Sequence, residues 1–313
     1  MPFEPVILFF LLGLLAGVVR SDLKIPGVLY ESLSIFLLLA IGLKGGIELS
    51  RYPLASLAGQ GLVVLAAAAL IPLIAFAALH RLGRLPRPDA ASIAAHYGSV
   101  SVVTFAVAAS FLSRLDVDYE GYLVVFLVLL EFPALVLGVI LARRADGQTR
   151  WGPMLHEVLS GKSIVLLVGG LLIGWLAGPE GIKPLDRLFI DLFKGVLAFF
   201  LLEMGLVVAS RLGDLRKAGA FLIGFGIAMP LVGATLGLLV GNLLNLSIGG
   251  SVLLAVLFAS ASYIAAPAAM RIAIPEANPA LSIGAALGIT FPFNLLIGIP
   301  IYHHMAVRLA GDF

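Results

Sequence analysis

Ten apolar runs separated by short polar breaks set the pattern of this chain. They cover about residues 5–19, 27–49, 54–80, 89–113 and 119–142, then 161–178, 186–209, 217–245, 249–273 and 280–308. Each approaches the roughly 20 residues that a helix needs to cross a bilayer core. The pattern predicts an all-α integral membrane protein of ten transmembrane helices. A polar stretch, RRADGQTRWGPM at 143–154, separates two sets of five. The expected organisation is a first five-helix repeat over 1–142, a cytoplasmic linker over 143–156 and a second repeat over 157–313.

Two runs are interrupted. The fourth contains HYGSVSVVTF at 96–105, which places His96, Tyr97, Gly98, Ser99, Ser101 and Thr104 inside an apolar segment. The ninth contains SASYIAAP at 260–267. Hydrocarbon offers polar groups no partner, so both stretches predict broken helices that meet at mid-membrane. The half-helix beyond each break begins with amide groups carrying partial positive charge. Two such ends arriving from opposite directions would hold a small anion, with the hydroxyls of Ser99, Ser101, Ser260 and Ser262 as further donors. Break carbonyls and Thr104 offer oxygen to a hard cation such as sodium. The plainer alternative is close helix packing, with each hydroxyl bonded back to its own helix.

The halves echo one another. GLLAG (13–17) matches GWLAG (174–178), Ile25-Pro26 matches Lys183-Pro184, and AIGLKGG (40–46) parallels EMGLVVA (203–209). Ser101 precedes Phe132-Pro133 by 31 residues, and Ser260 precedes Phe291-Pro292 by the same 31. Five spans per half is an odd number, so the second half must enter the membrane inverted. Inverted repeats with helices broken at matching places mark secondary transporters. The two prolines are expected to be packing features that flank and support the breaks, the alternative being a kink in each helix.

Composition agrees. The chain is 61% hydrophobic and 12% charged, against about 45–50% and 25% in soluble domains. That leaves no room for a soluble catalytic domain, and no hydrolase motif (HExxH, GxSxG) or phosphate-cradling loop is present. The chain is therefore expected not to be an enzyme and to need no cofactor. A net charge of +2 with no basic patch argues against nucleic acid. The first residues, MPFEP, lack a basic leader, so the first span is expected to be retained. Of the 20 Lys and Arg, 13 fall on one side of the spans and 5 on the other, with Lys44 and Lys194 inside them. The positive-inside rule then puts both termini outside the cytoplasm and the linker within it. Ionisable residues within the spans are costly. Lys44 and Glu48, spaced for an i,i+4 pair, are expected to bond. Glu131 and Glu203 are the candidate functional carboxylates, and His96 adjoins the first break.

Taken together, KIP (24–26), IGLKGG (41–46), YGSVSVVT (97–104), MG…SRLGDLRKAG (204–219) and SASYIAAPAAMRIAIPEANP (260–279), running into IGAALG (283–288), resemble the sodium-dependent bicarbonate transporters typified by the high-affinity cyanobacterial carrier. The resemblance implies ten helices in two inverted five-helix repeats forming core and gate subdomains, an elevator-type bicarbonate importer driven by sodium symport, a homotrimer in the inner or plasma membrane, and a cytoplasmic PII-like regulator. By position it implies substrate contacts at Gly98, Ser99, Val100, Ser101, Ser260, Ala261 and Ser262, and sodium contacts at Ser101, Thr104, Ser262 and Tyr263. Tyr263 stands where those carriers place an aspartate after a longer serine run, and the linker between repeats is shorter here. The other readings are a carrier for another small anion or carboxylate, and a membrane receptor or scaffold that no longer transports.

Overall fold

The computed structural model describes residues 4–142 and 151–311. The chain runs through α1 (Pro5–Val18), α2 (Gly27–Leu49), α3 (Leu54–Ala68), α4 (Leu70–Ala77), α5 (Arg87–Gly98), α6 (Val102–Arg114), α7 (Leu123–Glu131) and α8 (Pro133–Ala142). It continues through α9 (Trp151–Leu159), α10 (Lys162–Ile182), α11 (Phe193–Leu243), α12 (Ile248–Ala259), α13 (Ala265–Ala273), α14 (Pro279–Ile283), α15 (Phe291–Phe293) and α16 (Ile299–Gly311). No strand occurs among the described residues. Eight helical stretches are long and apolar enough to cross a membrane; α1 and α12 are apolar but shorter.

The outward faces confirm the solvent. Leu8, Leu12 and Leu15 on α1, Leu172, Ile173 and Leu176 on α10 and Leu239 and Leu243 on α11 are all exposed. In water such a surface would drive aggregation, whereas hydrocarbon accepts it. Within the described residues the expected segments are helical, with three departures. The expected linker is already helical from Trp151, because Met154 and Val158 turn into a small core shared with α5, α8 and α13; its Arg143, Arg144 and Arg150 lie outside the described residues. α11 joins the seventh and eighth expected spans and turns at Gly219, whose φ of 77° is open to glycine. Pro133 opens a new helix after Phe132 rather than bending one.

Lipid tails are as apolar as leucine, so these helices cannot associate by hiding from them. Close backbone approach takes over. α1 packs along α11 and α2 along α10, and glycines line both seams. A Cβ on Gly13 would run into the Leu202 carbonyl, and one on Gly205 into that of Phe10. On the other seam a Cβ on Gly46 would strike the Leu171 carbonyl and lie 2.7 Å from the Trp175 nitrogen. The matching segments of the two halves therefore face partners across halves. GLLAG meets the segment around Gly205, and GWLAG meets IGLKGG.

Gly46→Val and Gly205→Val should each cost about 2–3 kcal/mol and visibly lower the melting temperature in detergent. Gly27→Ala, where the added methyl meets nothing within 4 Å, should stay within about 0.5 kcal/mol of the parent. Differential scanning fluorimetry of the purified protein reads both.

Candidate functional site

The first break leaves Ser99, Val100 and Ser101 outside any helix, between α5 and α6; the second leaves residues 260–264 outside, between α12 and α13. Helix ends orphan their amides and carbonyls, and in an apolar interior each needs a partner. The two breaks supply one another. The Ser101 amide donates to Ser260 Oγ at 2.9 Å, and the Ser262 amide donates to the His96 carbonyl at 2.8 Å. Farther out, the Asn278 amide donates to the Asp89 carboxylate at 2.7 Å, tying the start of α14, just beyond α13, to the start of α5. At the other extreme the Ser247 amide donates to Glu120 Oε1 at 2.7 Å, tying the start of α12 to the loop after α6. The broken helices are thus antiparallel and cross at their gaps.

All four serines are buried, with Ser99 at 1%, Ser101 at 4%, Ser260 at 1% and Ser262 at 2% exposure. Their hydroxyls do not stand free. Ser101 Oγ accepts from the Thr104 amide at 3.2 Å and from the Thr104 hydroxyl at 2.9 Å, as the N-cap of α6. Ser262 Oγ accepts from the Ala266 amide at 3.2 Å, and Ser260 Oγ donates to the Leu257 carbonyl at 3.1 Å. Ser99 Oγ donates to the Glu131 carbonyl at 3.3 Å. Capping is what these short polar side chains do best at a helix start. Ser99, Ser260 and Ser262 each retain a lone pair for a further contact, whereas Ser101 Oγ, which already accepts twice, retains its O–H as a donor. Val100 and Ala261 are buried beside them. Gly98 closes α5 as a packing residue: a Cβ there would lie 2.7 Å from Ala134 Cβ and 2.8 Å from Pro72 Cδ.

The crossing faces a cavity of about 10 Å³ lined by Ser101, Ser262, Tyr263, Glu131 and Ser163, a size that holds about one water. Glu131 is 2% exposed, and its Oε2 has no hydrogen-bond partner. The Tyr263 hydroxyl is also buried without one, its ring set edge-on to Phe291 with centroids 5.2 Å apart. A second narrow cavity shares Val102 and Ile264 with the first and is closed by Phe200. It shares Ile41 and Ala106 in turn with a vestibule of about 750 Å³. Lys44, Glu48, Ser113, Asp116, Asp118 and Tyr119 line that vestibule. Three separate cavities therefore lie in a row from the vestibule to the crossing, divided by shared apolar side chains.

The expected Lys44–Glu48 pair does not form. Lys44 Nζ sits 4.0 Å from the centre of the Phe193 ring, while Glu48 bonds Arg51 at 2.9 Å. The nearer arginine, one residue beyond the helix, offers forked donors, and the aromatic face holds the lysine. Glu203 is half-buried with an unpartnered Oε2, away from the crossing cavity.

Sequence reasoning missed Asn294. Its Nδ2 donates to the Ala259 carbonyl at 2.9 Å, closing the end of α12, and its Oδ1 accepts from the Tyr302 hydroxyl at 2.7 Å. It also missed Thr290, which takes the Tyr97 hydroxyl at 2.6 Å and donates to the Gly226 carbonyl at 2.7 Å. The signal was available: a lone asparagine deep in an apolar run, three residues after Phe291.

A model of the Na+-dependent bicarbonate transporter superfamily matches residues 5–307, nearly the whole chain. A comparison with curated proteins gives no match.

Asn294→Leu should destabilise the protein by about 2 kcal/mol or more, because it strands the Ala259 carbonyl and the Tyr302 hydroxyl together. Pairing it with Tyr302→Phe should recover part of that loss, since the second orphan disappears. Melting temperatures of the two variants test this.

Proposed function

The chain belongs to the Na+-dependent bicarbonate transporter superfamily, and from that membership we propose a secondary carrier importing bicarbonate by sodium symport. Its ten spans form two inverted five-helix repeats, and the anion binds at the crossing of the broken helices. The observation that carries the reading is the Glu131 carboxyl group, buried with an unpartnered oxygen in the same cavity as Ser101 and Ser262. A carboxylate held away from water without a partner is costly. It becomes stable when a cation arrives. Glu131, with the spare lone pairs of Thr104 and Ser262, therefore supplies sodium ligands in a chain that has Tyr263 where the resembling carriers have an aspartate. Sodium bound there offsets the charge of bicarbonate beside the amide ends of α6 and α13. Sodium cancels the Glu131 charge that would otherwise repel bicarbonate from the crossing, which is the physical content of coupling.

Val102 and Ile264 stand between the crossing cavity and its neighbour beside Phe200, so transport requires the crossing to move relative to α2 and α11. An elevator step of the crossing bundle against the glycine-seamed pairs meets that need. A homotrimer and a PII-like regulator belong to the same reading by family analogy.

The same orphaned carboxyl favours one rival, in which a proton replaces sodium. Uptake of labelled bicarbonate into proteoliposomes separates the two. An inward sodium gradient should stimulate uptake in the parent protein, and Glu131→Gln should abolish the stimulation. Uptake indifferent to sodium but driven by an inward proton gradient would establish the rival. Ser101→Ala combined with Ser262→Ala should reduce uptake at least about tenfold, as expected for losing one or two polar contacts of roughly 1.5 kcal/mol each. Binding without flux would make the protein a receptor.

A further inference from the structure

A second polar cavity, of about 200 Å³, opens at the other end of the crossing from the Lys44 vestibule, between α5, α13 and the start of α14. Its polar lining is Ser92, His96, Arg271 and Ser282, with no acidic residue among the described residues that line it. His96 is 0% exposed. Its Nδ1 lies 2.7 Å from the Ser92 carbonyl oxygen. A carbonyl can only accept, so Nδ1 carries the proton. In the neutral ring Nε2 is then a lone-pair acceptor, and it is buried with no partner. An orphaned buried acceptor calls for an O–H donor.

Arg271, in the last turn of α13, is exposed at the cavity and makes no ion pair among the described residues. It brings a permanent positive charge and forked donors, suited to the paired oxygens of a carboxylate-like group. The cavity thus offers one acceptor and one cationic fork. We propose that it is a second binding site, for a monoprotonated oxyanion of the bicarbonate class, whose O–H donates to His96 Nε2 while its charged oxygens meet Arg271. Chloride, nitrate and carbonate have no such hydrogen, so the site discriminates against them. The His96 carbonyl holds the Ser262 amide of the crossing at 2.8 Å, so one residue serves both places. The site is a way station for cargo leaving or reaching the crossing on that side. The choice of ligand rests on the bicarbonate reading above.

Titration of the purified full chain with bicarbonate, followed by calorimetry, tests the proposal. The parent protein should show two classes of site. Arg271→Gln, an exposed change, should weaken one class roughly tenfold or more, the loss of a charge-assisted contact. His96→Phe should do the same at an unchanged melting temperature; if that variant does not fold, Arg271→Gln decides alone. Nitrate should not compete for this class. A single class in the parent, two intact classes in Arg271→Gln, or displacement by nitrate as effective as by bicarbonate would overturn the site. Failure of the carrier reading shows separately, as the absence of bicarbonate uptake by the parent protein in proteoliposomes.

Discussion

A peptide group that leaves its helix inside an apolar interior must find another partner, and the crossing is the solution to that constraint. Two helices break, and each break satisfies groups that the other exposes. The Ser101 amide uses Ser260 Oγ, and the Ser262 amide uses the His96 carbonyl. The remaining ends are closed by short side chains acting on their own helices, and by Asn294 reaching from the last long helical stretch to Ala259. Neither gap would be stable alone. An unpaired buried amide costs about as much as a hydrogen bond lost outright, and these partners exist only when both halves are folded together.

The rest of the architecture holds the gaps in register. Asp89 with Asn278 and Glu120 with Ser247 fasten the broken helices at their far ends. These clamps use carboxylates on backbone amides, which are stronger than neutral pairs. The α1–α11 and α2–α10 seams use another device, backbone against backbone at glycine. Polar bonds therefore specify the crossing, while shape alone specifies the frame beside it. A shape-fitted seam can be displaced without leaving a polar group unsatisfied, which a hydrogen-bonded crossing cannot. The crossing is thus held together by polar bonds, and the frame beside it by shape.

Much of this was legible in the chain. The apolar runs mark the helices, and the polar clusters at 96–105 and 260–267 mark both gaps, because their recurrence at matching places in the two halves favours broken helices over simple close packing. The glycine echoes mark the seams. What could not be read was which neighbour each polar group chooses. Lys44 and Glu48 have ideal spacing, yet an arginine past the helix end and a phenylalanine from α11 win them. The serines were read as free donors, but a helix start inside protein claims a capping oxygen first. Asn294 and Thr290 escaped notice because their partners lie 35 and 64 residues away in sequence. Such pairings follow from tertiary contact, not from local pattern.

The exchange at position 263 bears on how the ions are held. A tyrosine cannot neutralise a cation near neutral pH, and its hydroxyl here is buried unpartnered near the first gap. Its ring fills the space against Phe291. The carboxyl group at this crossing instead belongs to Glu131, the residue before the Phe132-Pro133 step. That step matters. By ending α7 at Glu131 and starting α8 at Pro133, the chain places the carboxylate at a helix junction beside the first gap, with its own carbonyl already taken by Ser99. A carboxylate carried by the same element that braces the gap moves with it. Glu131 therefore carries both the buried carboxyl group and the backbone brace of the first gap.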